Sequence, residues 1–351
     1  MTINEYKGVY YNAFFRTRRK MMKKFLLTIM TSLSLISTAN VLADDVQPCY
    51  QINHETQSNA VTQDNIVMLD VARRHMNYNQ IIQCIQAIDP NKFQMVQLHL
   101  NDDENFAVKS RLLHNTNDSY ALSQRDLKRI VAYANSKGIT IIPDIDVPGH
   151  DTAIINDLKQ CNSPWLRHNI VMNSSTLNYT NRDTLDFVER LYSEILPAFQ
   201  WQQNWFCMIG ADEVPGNQNC AQQFSWFINK LSEYLNWNGF NAVVWNDSIN
   251  QNVLSKLNHN ITVDYWKDND NFSAQQMANE DYPIKNVNYQ NSYINTFDLN
   301  NSQLRAEKAQ ALANQQGSKM LCFWGSNDPS ENQVSNQEIV NFIKEVQNDM
   351  H

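Results

Sequence analysis

Beyond residue 43 the chain alternates between two hydrophobic rhythms. Short apolar, β-branched runs stand at Ile66–Val71, Met95–Leu100, Ile139–Ile145, Phe206–Ile209, Ala242–Trp245, Ile261–Tyr265, Ile284–Tyr289 and Met320–Phe323. Runs of this length, bounded by polar and turn-forming residues, predict buried strands. Between them lie stretches with helical spacing, among them Asn79–Ile88, Ser123–Ser136, Ala221–Leu235 and Gln303–Asn314, and a last helix spans Asn336–Val346. Ser123 predicts an N-terminal cap and Lys137-Gly138 a stop for the second of these. Strand–helix alternation repeated eight times predicts an α/β fold, a parallel sheet closed as a (β/α)8 TIM barrel. No Pro/Gly/Ser-rich linker and no internal repeat interrupts residues 44–351, which read as one catalytic barrel domain.

The residues just past each strand narrow the picture. Arg73 comes after the first and Asn101-Asp102-Asp103-Glu104 after the second. Asp144, Asp146 and Gly149-His150 mark the third, and Asp212-Glu213 the fourth. The fifth ends in Trp245-Asn246-Asp247, the sixth in Trp266, the seventh is succeeded by Tyr293, and the eighth by Trp324. Ionisable or aromatic residues at every carboxyl end would converge on one mouth, where barrel enzymes keep their active sites.

Composition permits this. Hydrophobic residues make up 42% and charged residues 18%, enough for a sizeable core. The chain carries eight Trp, and indole stacks well on the apolar C–H faces of sugars, although core packing explains any single Trp equally well. At the N-terminus, Lys23-Lys24 precede an apolar run from Phe25 to Ile36 that ends at Val41-Leu42-Ala43. That pattern predicts a signal peptide over residues 1–43, translation starting at Met21 or Met22, and a secreted or periplasmic product. The run is too short for a spanning helix, so no stable membrane insertion is expected after cleavage. Residues 1–43 hold seven Lys/Arg and one acid, so residues 44–351 carry 21 basic and 35 acidic side chains, a net charge of −14. Such a surface excludes nucleic acid as a partner but accepts a neutral or cationic polymer. Export permits disulfides among the six cysteines. Cys161 and Cys220, in polar stretches, are the better candidates for a bridge, and Cys207 and Cys322 read as buried thiols. No CxxC or His/Cys cluster points to a metal, and no cofactor is expected.

The chemistry concentrates at Asp212-Glu213. Two adjacent carboxylates cannot easily flank a glycosidic bond, because a nucleophile/acid pair needs carboxyls roughly 5–5.5 Å apart across the sugar. Adjacent carboxylates suit a substrate that supplies its own nucleophile, a 2-acetamido oxygen attacking the anomeric carbon. One carboxylate then orients the acetamide and balances charge while the other protonates the leaving oxygen. Glu213 fits the acid if burial raises its pKa. Alone, such a dipeptide is equally a helix cap or a solvated pair.

Its context is more specific. Met68-Leu69-Asp70-Val71-Ala72-Arg73, Leu98-His99-Leu100-Asn101-Asp102-Asp103, Ile142-Pro143-Asp144-Ile145-Asp146-Val147-Pro148-Gly149-His150 and Ile209-Gly210-Ala211-Asp212-Glu213-Val214 stand in order, with Trp245-Asn246-Asp247, Tyr293 and Trp324-Gly325 after them. Together they resemble the family 20 glycoside hydrolases, the β-N-acetylhexosaminidases, and among these the compact dispersin-type members. The resemblance implies retaining, substrate-assisted hydrolysis of β-linked N-acetylglucosamine or N-acetylgalactosamine by a monomer, with poly-β-1,6-N-acetylglucosamine as a candidate glycan. It implies Glu213 as acid/base, Asp212 as acetamide-orienting carboxylate and Tyr293 as donor to the acetamide oxygen. Asp102 and His150 resemble a relay to the catalytic glutamate, Arg73 and Asp247 substrate-binding groups, and Trp245, Trp266 and Trp324 an aromatic box. Asp144 and Asp146 read as structural rather than catalytic.

One position departs. Members usually carry an acid two residues after the last active-site Trp, where this chain has Ser326, with Asn327 and Asp328 next. Ser326 is the sequence support for a rival reading, an amino-sugar-binding barrel that turns over poorly. A chitinase-type hydrolase is a third reading, against which stands the lack of a DxxDxDxE run.

Overall fold

The computed structural model describes residues 64–200, 202, 205–268, 273–326, 328 and 334–350. The predicted signal peptide and Cys49 lie outside the described residues. Among the described residues nine strands, all paired in parallel, form one sheet. They are β1 Ile66–Asp70, β2 Met95–His99, β3 Thr140–Val147, β4 Phe206–Gly210, β5 Asn241–Trp245, β6 Thr262–Tyr265, β7 Ile284–Asn286, β8 Tyr293–Asn295 and β9 Met320–Trp324. Their order is β7-β6-β5-β4-β3-β2-β1-β9-β8.

The sheet curls on itself, and its burial pattern shows why. Strands of a barrel send alternate side chains inward. Ile66 and Met68 of β1, Met95 of β2, Ile142 of β3, Met208 of β4, Val243 and Trp245 of β5, and Met320 and Cys322 of β9 share one interior cluster. Strands as far apart in the order as β1 and β5 meet there only if the sheet wraps round. The intervening residues (Val67, Leu69, Val96, Leu98, Ile141, Val244, Val263, Leu321) face outward into a second, larger cluster with the helices. The architecture is a (β/α)8 TIM barrel, with a seam between β7 and β8, where no ladder joins the described residues.

The seam corrects the sequence reading, which predicts one strand over Ile284–Tyr289, the seventh of eight. Instead β7 ends at Asn286, the Asn288 side chain accepts from the Gln290 N–H to cap a helical turn over Tyr289–Ser292, and the chain re-enters the sheet as β8. A capping Asn leading into a polar stretch satisfies its own backbone locally, and this outweighs the β-branched run before it.

The helices obey their end signals. Ser123 and Asp126 form a reciprocal capping box on Gln124–Ser136, Asn77 and Gln80 one on Tyr78–Ala87, and Ser335 and Glu338 one on Asn336–Asp349. The last closes the ring, packing against Tyr78–Ala87 and Ser302–Asn314. Five cysteines are free thiols, which corrects the expected Cys161–Cys220 bridge: Cys161 ends helix Thr152–Gln160 with its Sγ turned to the Leu158 carbonyl, whereas Cys220 caps the separate helix Ala221–Trp237.

Two glycines let β3 and β4 come together at their carboxyl ends. A Cβ on Gly210, which has φ +79°, would stand 1.9 Å from Asp146 Oδ1, and one on Gly149 would stand 2.8 Å from the Asp212 carbonyl oxygen. The register slips here in both ladders of β4, between Asp144 and Val147 against β3 and between Met208 and Gly210 against β5. Gly210→Ala therefore combines a steric clash with a left-handed backbone. It is expected to cost about 3 kcal/mol or more in urea unfolding, whereas Gly138→Ala, at an open left-handed turn with nothing within 4 Å, should cost less.

Candidate active site

The carboxyl ends of the strands hold a network of buried charge. Asp70 ends β1 and caps the turn Val71–Arg74; its carboxylate accepts from the Arg73 N–H at 2.9 Å and from the Gly325 N–H at 2.9 Å, tying β1 to the loop after β9. The Arg73 guanidinium meets three carboxylates, Asp70 at 3.1 Å, Asp102 at 2.7 Å and Glu104 at 3.3 Å, and lies 5.3 Å over the Trp324 ring. Burial opposes its charge, but these acids outweigh it and hold the guanidinium firmly protonated.

His99, at the end of β2, is fully buried with both nitrogens engaged, Nε2 by Asp102 at 2.6 Å and Nδ1 by Asp144 at 3.0 Å. Gln97, two residues earlier on the same face, donates to Asp144 at 2.7 Å. Burial disfavours a charged imidazole, yet Asp144, Asp146 and Asp102 raise the His99 pKa well above its ordinary value. Asp102 is depressed in turn: burial would raise it, and His150, His99 and Arg73 together pull it far down. Sequence reasoning assigns His99 no role. Its signal is the alternation Met95, Gln97, His99, two polar residues at inward positions of a buried strand.

His150 comes directly after Gly149 with φ +55° and stands between two acidic pairs. Its Nδ1 is 3.6 Å from Asp102 and 3.5 Å from Asp103; its Nε2 is 3.6 Å from Asp212 and 3.7 Å from Glu213. These are ion-pair rather than hydrogen-bond distances. Burial acts against its charge, but Asp102, Asp103 and Asp212 raise it far above the ordinary histidine value. Asp144 and Asp146 bracket His99 from β3, and burial, together with Asp144 and Asp212, raises the Asp146 pKa well above its ordinary value.

Asp212 and Glu213 sit on a strained loop. Gly210, Ala211 and Glu213 all have positive φ, at +79°, +63° and +47°, a conformation costly for the two that carry a Cβ. Neighbouring groups enforce it: the Glu213 N–H donates to Asp247 Oδ2 at 2.9 Å and the Val214 N–H to Ser248 Oγ at 3.0 Å. The burial expected at Glu213 is found at Asp212 instead. The Glu213 side chain is 56% exposed and that of Asp212 16%. Burial pushes Asp212 up to about 7, against the pull of His150 and with the push of Asp247.

Asp247, expected to bind substrate, has both oxygens engaged within the protein. Besides Glu213 it accepts from Trp266 Nε1 at 3.0 Å, so it locks the Asp212–Glu213 loop to an aromatic wall. Trp266 stacks on Tyr293 at 5.8 Å and 9°, and Tyr293 meets Trp324 at 5.5 Å. These three rings are partly exposed, whereas Trp245 is 1% exposed and packs beneath them in the barrel interior. Burial raises Tyr293 well above its usual value, which keeps it a hydroxyl donor. Ser326 Oγ accepts from the Asp328 N–H at 3.0 Å.

Some features carry no recognised sequence signal. Asp264 and Lys285 face each other in register on β6 and β7, fully buried, and burial raises Asp264 to about 6 despite Lys285. His99, Asp102 and Asp146, and separately Asp102, Asp103 and His150, offer ligand atoms within 4.8 Å of one another. Both His99 nitrogens are already occupied, Nε2 by Asp102 of the first group and Nδ1 by Asp144, which lies outside it.

Known proteins resemble this chain in sequence and fold. Residues 66–347 match the family model for glycosyl hydrolase family 20, catalytic domain. Beta-hexosaminidase 1 of Coccidioides posadasii is 28% identical over 167 residues, covering 43% of this chain and 28% of that protein. Beta-hexosaminidase subunit beta of Homo sapiens is 25% identical over 227 residues, 58% of this chain and 40% of that one. The match thus spans less than half the length of these curated relatives. The crystal structure of Dispersin B superposes with a TM-score of 0.69 at 24% identity, covering 82% of this chain and 98% of that one, which supports the fold. The barrel, its acidic mouth and the family match over most of the described residues lead to one conclusion: the chain belongs to glycosyl hydrolase family 20.

Proposed function

We propose that this chain hydrolyses β-linked N-acetylhexosaminides with retention, the substrate's own acetamide serving as nucleophile. The observation that carries the reading is the placement of Asp212 and Glu213. Both carboxylates approach the same His150 Nε2, at 3.6 and 3.7 Å, from one strand end. Two acids on one side of a sugar cannot attack and protonate from opposite faces. A 2-acetamido group supplies the missing nucleophile.

Glu213, reaching into solvent, protonates the leaving oxygen and later activates water. Asp212 orients the acetamide N–H and balances the oxazolinium charge, for which its proton must leave. His150 and Asp102 hold the carboxylates in a field set by buried imidazolium and guanidinium groups. Tyr293 donates to the acetamide oxygen, and Trp266 and Trp324 line a water-poor pocket whose floor is Trp245. Arg73 takes hydroxyls at the far side of the ring. The candidate glycan is poly-β-1,6-N-acetylglucosamine, met by an exported monomer; a partly deacetylated, cationic polymer suits an acidic chain.

Release of p-nitrophenol from the β-N-acetylglucosaminide, with the plain β-glucoside as control, tests the reading. Turnover confined to the acetamido sugar supports it; turnover of both equally overturns the role of the acetamide. Silence on both, from a folded protein, favours the binding-protein reading raised by Ser326. Asp212→Asn and Glu213→Gln should each lower kcat by roughly 10²–10⁴ with the circular dichroism spectrum unchanged. Near wild-type rates from either would remove the assigned roles.

Asp212 also makes a stability prediction. Its folded pKa of about 7 lies above the ordinary value of 3.8, so the folded state holds this proton more tightly. The associated stability is full below pH 3.8 and is lost as pH rises through 7. Asp212→Asn keeps the site neutral throughout. The Tm difference, variant minus wild type, should therefore grow between about pH 4 and pH 8; a flat difference would contradict the raised pKa.

A further inference from the structure

Two large aromatic side chains are more than half exposed among the described residues, Trp237 at 72% and Tyr120 at 63%. They lie at opposite ends of the barrel. Trp237 is the last residue of a helix that leads into the start of β5, at the amino ends of the strands. Tyr120 stands on the connection leaving the carboxyl end of β2, on the side of the active-site mouth. Isolated exposed aromatics need no explanation, but Tyr120 is not isolated. Its ring leans on the His75 imidazole at 4.7 Å and 32°, and the Asn105 amide lies 3.3 Å from His75 Nδ1.

This assembly joins the catalytic network directly. His75 ends the turn that carries Arg73, in a left-handed conformation that turns the chain. Asn105 is next to Glu104, the third carboxylate on Arg73, and its carbonyl accepts from the Asp102 N–H at 3.1 Å. A continuous chain of contacts thus runs Asp102, Asn105, His75, Tyr120.

The loop is also built to hold the ring in place. Val108 bridges to Leu122, with Lys109 N–H donating to Leu122 at 2.9 Å and Leu122 N–H to Ala107 at 2.8 Å. Asn115 closes the turn from inside, accepting from the Ser110 N–H at 2.7 Å, while Glu194 accepts from Ser110 and from the Arg111 N–H. Just before the ring, Asp118 accepts from the Tyr120 N–H at 2.8 Å. An exposed aromatic on a braced loop is preorganised for stacking and loses little freedom when a ligand covers it.

We propose that Tyr120, backed by His75, is a distal sugar subsite that stacks the apolar face of a β-linked hexosamine ring. The proposal rests on the hexosaminidase reading above. On that reading Arg73 holds the side of the bound ring farthest from the scissile bond, so the ring on Tyr120 lies beyond the non-reducing end of the sugar being cleaved. The subsite then lets the enzyme take a chain interior as well as a chain end. The short, uncharged Ser326 agrees with this, since no acid stands at that position to fix a terminal hydroxyl.

The test compares substrates that reach Tyr120 with one that does not. Wild type, Tyr120→Ala and Tyr120→Trp are assayed on the p-nitrophenyl monosaccharide and on β-1,6-linked penta-N-acetylglucosamine. Tyr120→Ala should lower kcat/KM on the pentasaccharide about five- to tenfold while leaving the monosaccharide unchanged, and Tyr120→Trp should retain activity on both. Equal losses on the two substrates, or no loss on the pentasaccharide, overturn the subsite while leaving the hexosaminidase reading intact. If wild type cleaves neither, that reading fails, and NMR titration with the pentasaccharide decides the subsite separately. Weaker binding by Tyr120→Ala supports it, and equal binding overturns it.

Discussion

The Asp102 carboxylate is the point on which the mouth of this barrel depends. It is almost wholly buried and meets three cations at once: His99 at 2.6 Å, Arg73 at 2.7 Å and His150 at 3.6 Å. Burying a charge is costly unless it is paired, and removing one partner leaves the others uncompensated. Each of those cations reaches a different part of the fold. Arg73 reaches β1 and Trp324, His99 reaches β3 through Asp144, and His150 reaches Asp212 and Glu213. Strand ends that pack independently elsewhere in the barrel are therefore electrostatically coupled here, and Asp212 and Glu213 inherit their surroundings from that coupling.

Strain is the second ingredient. Left-handed residues at Ala211 and Glu213 persist because Asp247 and Ser248 hold the loop and because Gly149 and Gly210 leave room for it. The effect is division of labour between adjacent acids. Asp212 is turned into the protein, where burial favours its proton, and Glu213 is turned out toward solvent. Two neighbours with the same chemistry thus acquire different environments from the backbone alone, the condition for separate acid and orienting roles.

Much of this is legible in the sequence. Seven of the eight apolar runs locate strands to within a residue or two, and the side chains after the runs, Arg73, Asp102, His150, Asp212, Glu213, Trp266, Tyr293 and Trp324, do assemble at one mouth. The failures have physical causes. Ile284–Tyr289 looks like one strand because periodicity does not register that Asn288 can cap a turn. Spacing also does not reveal that Asp247, expected to bind substrate, accepts from the Glu213 N–H and the Trp266 indole. His99 escapes notice because it sits inside an apolar run, where only its inward alternation with Gln97 gives it away. Trp245, grouped with the other indoles by its place at a strand end, is floor rather than wall, a distinction set by depth along the barrel axis.

The seam between β7 and β8 changes what holds the mouth together. Trp266 comes just after β6 and Tyr293 opens β8, so the parallel stack between them spans the gap that no backbone ladder crosses. Elsewhere round the ring, widening the mouth means breaking several sheet hydrogen bonds, each worth about 0.5–1.5 kcal/mol. Across the seam the ladder is replaced by the Trp266–Tyr293 stack and by the turn Tyr289–Ser292, whose Tyr289 N–H donates to the Trp266 carbonyl at 2.9 Å. The barrel is thus a hoop whose one interruption in the backbone ladder is closed by aromatic side chains, opposite the charged half of the mouth.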